Sequence, residues 1–229
     1  IAKMTPAASF YYYRLLRNSQ RSRPHPFEYN YSMPCLPDSF YQQDVTLVAR
    51  QLLGKRLVRL MDGTRISGII VEAEAYRGEE DLACHARSGM TQRNAVMYGR
   101  EGRAYVYFTY GMHWMLNAVC GPEGFPSAVL IRAIKPMEGL ETIASRRSGR
   151  SEKEWCNGPA KLCQALGINK NMNGAALCDD ESSLWIEDAA AIPDGDVKIS
   201  SRIGLGNTPE PWLSKPWRFF TDLEGRTFE

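Results

Sequence analysis

A chain of 229 residues, 44% hydrophobic and 24% charged, is long enough to bury a sizeable core and suits one globular domain. Its formal net charge of +2 neither demands nor forbids a polyanionic partner, and six cysteines without a C-x-x-C pair, beside three histidines, argue against a disulfide framework or a four-ligand zinc site. The longest uncharged run, residues 104–122, is broken by Tyr105, Tyr107, Thr109, Tyr110, His113 and Asn117, so it does not suit hydrocarbon and no membrane span is expected. The cysteines are expected to be reduced thiols.

Residues 1–37 read as a poorly ordered basic arm. Lys3, Arg14, Arg17, Arg21 and Arg23 precede the first acid, Glu28, and the prolines and the Tyr11-Tyr12-Tyr13 cluster follow no periodicity. A targeting peptide or an over-long translation start are alternatives. Residues 38–229 are expected to form the domain.

Asp44 can cap a helix in which Val45, Val48, Ala49, Leu52 and Leu53 recur at helical spacing, with Gly54 as its stop. Residues 55–60 and 65–76 then read as a β-hairpin around the Asp62-Gly63 turn. Its second strand ends in V-E-A-E-A-Y. Alternation places Glu72, Glu74 and Tyr76 on one face, away from Ile69, Val71, Ala73 and Ala75. A solvated outer face is the ordinary explanation of Glu-x-Glu in a strand. Here the acids are followed by an aromatic, by His85 and Arg87 in a glycine-containing loop, and by a second, aromatic hairpin.

The loop of residues 77–103 carries Arg87, Arg93, Arg100 and Arg103 among Thr91, Gln92 and Asn94, a mixture that suits phosphate contacts and equally an ordinary solvated loop. Residues 104–120 are strand-like on both sides of Gly111. A loop of Gly111, Met112 and His113 would pair Tyr110 with Trp114 and set Tyr107 opposite Asn117, leaving Tyr110 at the exposed end.

Residues 127–133 form an apolar strand in which Arg132 calls for a carboxylate partner. Pro136 is expected to open a helix with Met137, Leu140, Ile143 and Ala144 inward, ending in the basic cluster Arg146, Arg147 and Arg150. Asn157 could cap a short helix with Pro159 in its first turn and Lys161 where anions are attracted. Short strands and turns complete a sheet. Gly204-Leu205-Gly206 lacks a helical context and is a weak signal. The fold expected is α+β: a single mixed domain with a curved, mainly antiparallel sheet, flanking helices and a protruding hairpin.

A carboxylate on a strand, aromatics and a histidine able to sandwich a flat group, an exposed tyrosine at a hairpin tip and arginines at the rim suit an enzyme that takes one base out of a duplex. Two other readings use the same residues: a non-catalytic nucleic-acid module that stacks bases on these aromatics, and a sugar-cleaving enzyme with Glu72 and Glu74 as an acid and base pair.

V-E-A-E-A-Y with His85 downstream, Y-V-Y-x-x-Y-G-M with Asn117, V-L-I-R-A and N-G-P-A-K-L-C-Q-A-L together resemble the alkyladenine (3-methyladenine) DNA glycosylase family, the single-domain type unrelated to helix-hairpin-helix glycosylases. The likeness covers roughly residues 38–220. It implies excision of alkylated or deaminated purines (3-methyladenine, 7-methylguanine, hypoxanthine) by hydrolysis of the N-glycosidic bond, and Glu74 as general base with Arg132 holding it and the water. It further implies Tyr76, His85 and Tyr107 as walls of the base pocket, Asn117 crowding the amino group of guanine, and Tyr110 on the hairpin entering the minor groove. Arg87, Arg93, Arg146, Arg147, Arg150 and Lys161 are expected at the DNA backbone. No lysine stands in these motifs as a Schiff-base nucleophile, so lyase activity is not expected. The expected partner is double-stranded DNA containing damaged purines, bound by a cytoplasmic monomer, with no metal, cofactor or membrane; the basic arm leaves an organelle or the nucleus open as the compartment.

Overall fold

Among the described residues eight strands, all paired antiparallel, make one sheet, six of them in the order β3-β4-β5-β2-β1-β6: β1 Arg56–Met61, β2 Thr64–Arg77, β3 Ala104–Thr109, β4 His113–Cys120, β5 Ser127–Glu138 and β6 Leu184–Glu187. β7, Lys198–Ser200, pairs with β8, Arg218–Phe220, and β8 pairs in turn with β2. The computed structural model describes residues 34–222. Among the described residues four short α-helices accompany the sheet: α1 Asp38–Tyr41, α2 Val45–Gln51, α3 Leu140–Arg146 and α4 Pro159–Leu166. The expected α+β class and curved antiparallel sheet are what the chain forms.

Local chemistry accounts for the frame. Asp44 caps α2 by accepting the Thr46 N–H at 2.9 Å, and Val48, Ala49, Leu52 and Leu53 are wholly buried on its inner side. Asp62 and Gly63 both take positive φ, 50° and 76°, between the paired Met61 and Thr64, as the two-residue turn requires. Ile66, Ile69, Ile70, Ala73, Ala75, Leu116, Ile131, Leu162 and Leu166 share the main core between the sheet and its helices. A smaller cluster of Cys84, Ala86, Met97, Tyr105, Val119 and Ala128 lies apart from it, with Tyr76 and Tyr107 packed on its edge.

β2 is the hinge of the design. Its first half pairs with β1 and its second half with β8, while β5 runs along it from Ser67 to Arg77. The β2–β5 register slips three times: at Met137 near the start of the pairing, then at Val71 and at Arg132, each of these two the extra residue on its own strand, so that the latter two bulges compensate. A bulge re-aims the side chain it carries. That of Arg132 reaches the carboxylates of Glu72 and Glu74.

Three expectations are corrected. β5 continues through Pro136 to Glu138, and the helix begins only at Leu140 after Gly139, whose φ of 69° makes the turn; Ile143 is buried there but Leu140 is exposed. Proline is tolerated where its missing donor breaks no pairing, at a point where the register with β2 is already irregular. The aromatic hairpin turns at Tyr110, Gly111 and Met112, with Thr109 opposite His113, so Tyr107 faces Met115 and Tyr105 faces Asn117. Tyr110 and Gly111 take φ of 52° and 66°, and the Met112 N–H closes the turn on Thr109 O at 3.1 Å. The register thus moves by two residues, and an even shift keeps every side chain on its expected face. Asn157 does not cap α4: Gly158 holds that position, with Pro159 following it.

Residues 34–37, expected in the basic arm, are bound to the sheet. Leu36 is buried, its N–H donates to Ile186 O, and Cys35 bridges Glu187. The rest of the arm lies outside the described residues. All six cysteines are unpaired thiols; burial raises Cys35, Cys84 and Cys156 to about 12. Among the described residues no helix is long and apolar enough to cross a membrane.

Candidate active site

One row of paired residues crosses the sheet: Tyr105 opposite Asn117, Asn117 opposite Leu130, Leu130 opposite Glu74, and Glu74 opposite Arg218. Directly paired residues point to the same face, and strands stand ~4.8 Å apart, so Asn117 and Glu74 share a face at a backbone separation of about 10 Å. Over this row opens a cavity of about 570 Å³, lined by Tyr76, His85, Tyr105, Tyr107, Asn117, Leu130, Arg132 and Ile203 among others. That volume falls within the range of small-molecule sites.

Glu74 is wholly buried and is not itself among the lining residues, but three residues it bonds, Tyr76, Arg132 and Ile203, are. Its Oε1 accepts the backbone N–H of Ile203 at 2.6 Å; its Oε2 accepts the Tyr76 hydroxyl at 2.9 Å and Arg132 Nη1 at 3.3 Å. A carboxylate has about four acceptor positions, so three are filled and one is left. Burial raises the Glu74 pKa above its ordinary value, outweighing the opposing pull of Arg132, the Ile203 N–H and the Tyr76 hydroxyl. The result is a carboxylate more basic than a solvated one, still paired with a guanidinium.

Glu72 plays a different part. Its Oε1 accepts Arg132 Nε at 2.7 Å and Arg218 Nε at 2.6 Å, so two guanidiniums hold it. Arg132 thus stands between the two acids, fixed by Glu72 and offering one nitrogen to Glu74. This arrangement disfavours the sugar-cleaving reading, in which Glu72 would have to face the substrate.

His85 is placed by its neighbours. Cys84 and Ala86 are buried in the smaller cluster, which turns the residue between them outward, and buried Asn94 holds His85 O at 2.9 Å. The imidazole Nδ1 lies 3.0 Å from the Tyr105 hydroxyl, and the ring meets Tyr107 edge to face at 4.4 Å. Desolvation by these rings, then Arg93 and Arg87, lowers His85 to about 4, although the residue keeps an exposed side, so the ring is neutral at pH 7.

Tyr76 and Tyr107 each carry a guanidinium: Arg202 lies 4.7 Å from the ring centre of Tyr76, and Arg93 lies 5.1 Å from that of Tyr107. Asn117 is buried, and its Nδ2 donates to Tyr105 O at 3.0 Å, which fixes the side chain against the sheet. Tyr110 stands 78% exposed at the hairpin tip beside Met112 at 66%, an apolar point at the mouth of the cavity that Tyr110 also lines.

The basic residues separate into two groups. Arg87 is exposed, lines the cavity and bonds Leu82 O; Arg93 is exposed and bonds Phe108 O; Arg150 is exposed. Arg146 donates to Ala165 O at 3.0 Å near the end of α4 and packs on Gly167, while Arg147 bonds Gln164 and Glu154 O. These two tie α3 to α4 and do not project from a rim. Lys161 bonds Asn157 Oδ1 at 2.8 Å. Among the described residues no group of His, Cys, Asp and Glu is arranged to hold a metal ion.

Sequence reasoning missed four contributors: Tyr105, which anchors His85; the Ile203 N–H; the Glu72–Arg218 contact; and the buried pair of Arg202 and Asp81. The Gly204-Leu205-Gly206 stretch was the visible trace of one of them, since Ile203, Gly204 and Leu205 all line the cavity.

The family described as methylpurine-DNA glycosylase matches residues 39–224. A protein of Methanocella arvoryzae is 47% identical over 189 residues, 82% of this chain and 92% of that one. One of Anaeromyxobacter dehalogenans is 49% identical over 185 residues, 80% and 82% of the two chains, and one of Bacillus cereus is 41% identical over 201 residues, 84% and 97%. Each bears the name "Putative 3-methyladenine DNA glycosylase".

Proposed function

The chain belongs to the methylpurine-DNA glycosylase family, and on that premise we propose that it excises damaged purines from duplex DNA by hydrolysis, with Glu74 activating the attacking water. The observation that carries this reading is the buried Glu74 carboxylate, with one acceptor position to spare, bonded to Tyr76, Arg132 and Ile203 in the wall of an aromatic-lined cavity that an exposed tyrosine on a hairpin tip also lines.

A base rotated out of the stack would enter between Tyr76 on one side and His85 and Tyr107 on the other. Water bound at the open position of Glu74 and near Arg132 forms the bond to C1′ while the bond from C1′ to the base nitrogen breaks. The electron pair leaves with the base, the water's proton passes to Glu74, and the carboxylate's charge stabilises the oxocarbenium-like sugar between these events. A 3-methyladenine or 7-methylguanine begins cationic and leaves neutral; hypoxanthine leaves as an anion and must take up a proton. The electron-rich rings of Tyr76 and Tyr107 suit the cationic lesions through cation–π attraction.

Asn117 at the cavity floor crowds the 2-amino group of guanine, which adenine and hypoxanthine lack, and so disfavours normal guanine. Tyr110 enters the minor groove and fills the vacated place in the stack, and Arg87 and Arg93 meet the backbone. The residues that line the cavity include no lysine, which supports hydrolysis without strand nicking. The protein acts as a monomer on double-stranded DNA.

The test is direct. Duplexes bearing a single 3-methyladenine, 7-methylguanine or hypoxanthine are incubated with the protein, and free base and strand integrity are measured. Release of free base with an intact, alkali-labile strand is expected; no release from any of the three overturns the reading.

A further inference from the structure

Two charged residues with no part in the reaction above are buried completely: the side chains of Arg202 and Asp81. Arg202 Nη1 bonds Asp81 Oδ2 at 2.5 Å and Ala75 O at 2.9 Å; its Nη2 bonds Asp81 Oδ1 at 2.9 Å and Trp212 O at 3.1 Å. The guanidinium also lies 4.7 Å from the centre of the Tyr76 ring and 5.0 Å from that of Trp217. Burying an ion pair gains little stability over apolar residues of the same shape, so its presence calls for another reason.

The bonds supply one. Arg202 directly precedes Ile203, whose N–H reaches Glu74. Ala75, whose carbonyl Arg202 holds, lies between Glu74 and Tyr76. Asp81 in turn accepts the N–H groups of Arg77 and Ala83, and its own carbonyl accepts the Cys84 N–H, so it opens the turn that delivers His85. Three chain segments separated by up to 129 positions, each bringing one part of the site, are therefore tied at one point. A fork with two fixed nitrogens can hold three backbone segments in one plane; a point charge cannot.

Resting on the assignment of Glu74 as the base, we infer that Arg202 and Asp81 are a positioning pair: they hold the Ile203 N–H on Glu74 and back the Tyr76 ring, and thereby set the reactivity of the base without touching substrate. Loosening the pair withdraws a hydrogen bond that favours the ionised carboxylate. It should slow the chemical step and move the acid limb of the rate profile upward while leaving DNA affinity alone.

The experiment is single-turnover release of hypoxanthine from a duplex with one lesion, at saturating protein, from pH 5 to 9, with lesion-DNA affinity and thermal melting measured in parallel. Asp81→Leu with Arg202→Met removes both charges together, the change a fold tolerates best. Arg202→Lys keeps the charge and loses the fork, and serves alone if the double variant does not fold. The expected result is a rate lowered at least tenfold, an acid limb raised by half a pH unit or more, and an affinity within threefold of wild type. A folded variant with wild-type rate and acid limb overturns the inference, as does a loss confined to melting temperature. Wild-type protein that releases no base from this duplex, nor from duplexes bearing 3-methyladenine or 7-methylguanine, overturns the assigned reaction, and the inference with it; a wild type active only on one of the latter is assayed on that lesion.

Discussion

Glu74 and Asn117 flank Leu130 in a single row of the sheet, so the buried carboxylate and the amide at the cavity floor are held in register by three adjacent strands. Neither residue sits on a loop. Distances between such positions change little without unfolding the sheet, which suits a site that must measure one flat heterocycle.

Tyr110→Ala should separate wedge from fold. The residue is 78% exposed, so melting should stay within about 0.5 kcal/mol of wild type. Loss of a stacked aromatic costs about 1–3 kcal/mol. Base release from duplex should therefore fall by roughly 5- to 150-fold, and release from a single-stranded lesion much less. Equal losses on both substrates would place Tyr110 elsewhere in the mechanism.

The pH dependence follows from Glu74. Its raised pKa predicts an acid limb of the rate profile above 4.5, the ordinary value for this group. The linkage sign is that of a carboxyl whose folded pKa is raised: its charged form opposes folding, so this contribution is unfavourable at neutral pH and is relieved as pH falls through the folded pKa. Arg132→Met removes the largest opposing influence and should move the limb higher. A limb at or below 4.5 in wild type would contradict the burial of the base.

His85 should stay neutral across the working range. With a folded pKa near 4 against 6.5 for the free side chain, the unfolded chain binds more protons between those values, so the His85 contribution to stability rises with pH across that window. Imidazole proton shifts followed by NMR should be flat from pH 6 to 8. A titration midpoint near 6.5 would mean that the ring is not packed against Tyr107 and Tyr105.

The two groups of arginines predict different behaviour. Arg146→Ala should lower melting by a few degrees, because it leaves Ala165 O near the end of α4 without its partner, and should leave the salt dependence of DNA binding unchanged. Arg87→Ala should do the reverse, reducing the salt slope by about one. Filter-binding titrations at several salt concentrations and thermal melts decide between them.

Much of this was legible because it is local. The Asp44 cap, the Asp62-Gly63 turn and the alternation that puts Glu72, Glu74 and Tyr76 together all depend on neighbours in sequence. Arg132 in an apolar strand signalled its carboxylates, though not that a bulge would aim it. The hairpin register was read two residues off, since nothing in Y-G-M-H says which residues accept positive φ until Tyr110 does so. Pro136 reads as a helix opener in the sequence because its tolerance inside a strand depends on a register slip with β2. Ile203, Arg202 and Asp81 were invisible for a simpler reason: a backbone N–H has no sequence signature, and the partners lie 121 to 129 positions apart.

The most direct test of the account is Glu74→Gln, which preserves shape and removes the base. Single-turnover release of hypoxanthine from a duplex, with lesion-DNA binding measured beside it, should show release lowered by about 10²–10⁴-fold and affinity unchanged. Release at the wild-type rate by the folded variant would contradict the assignment of Glu74 and the mechanism built on it.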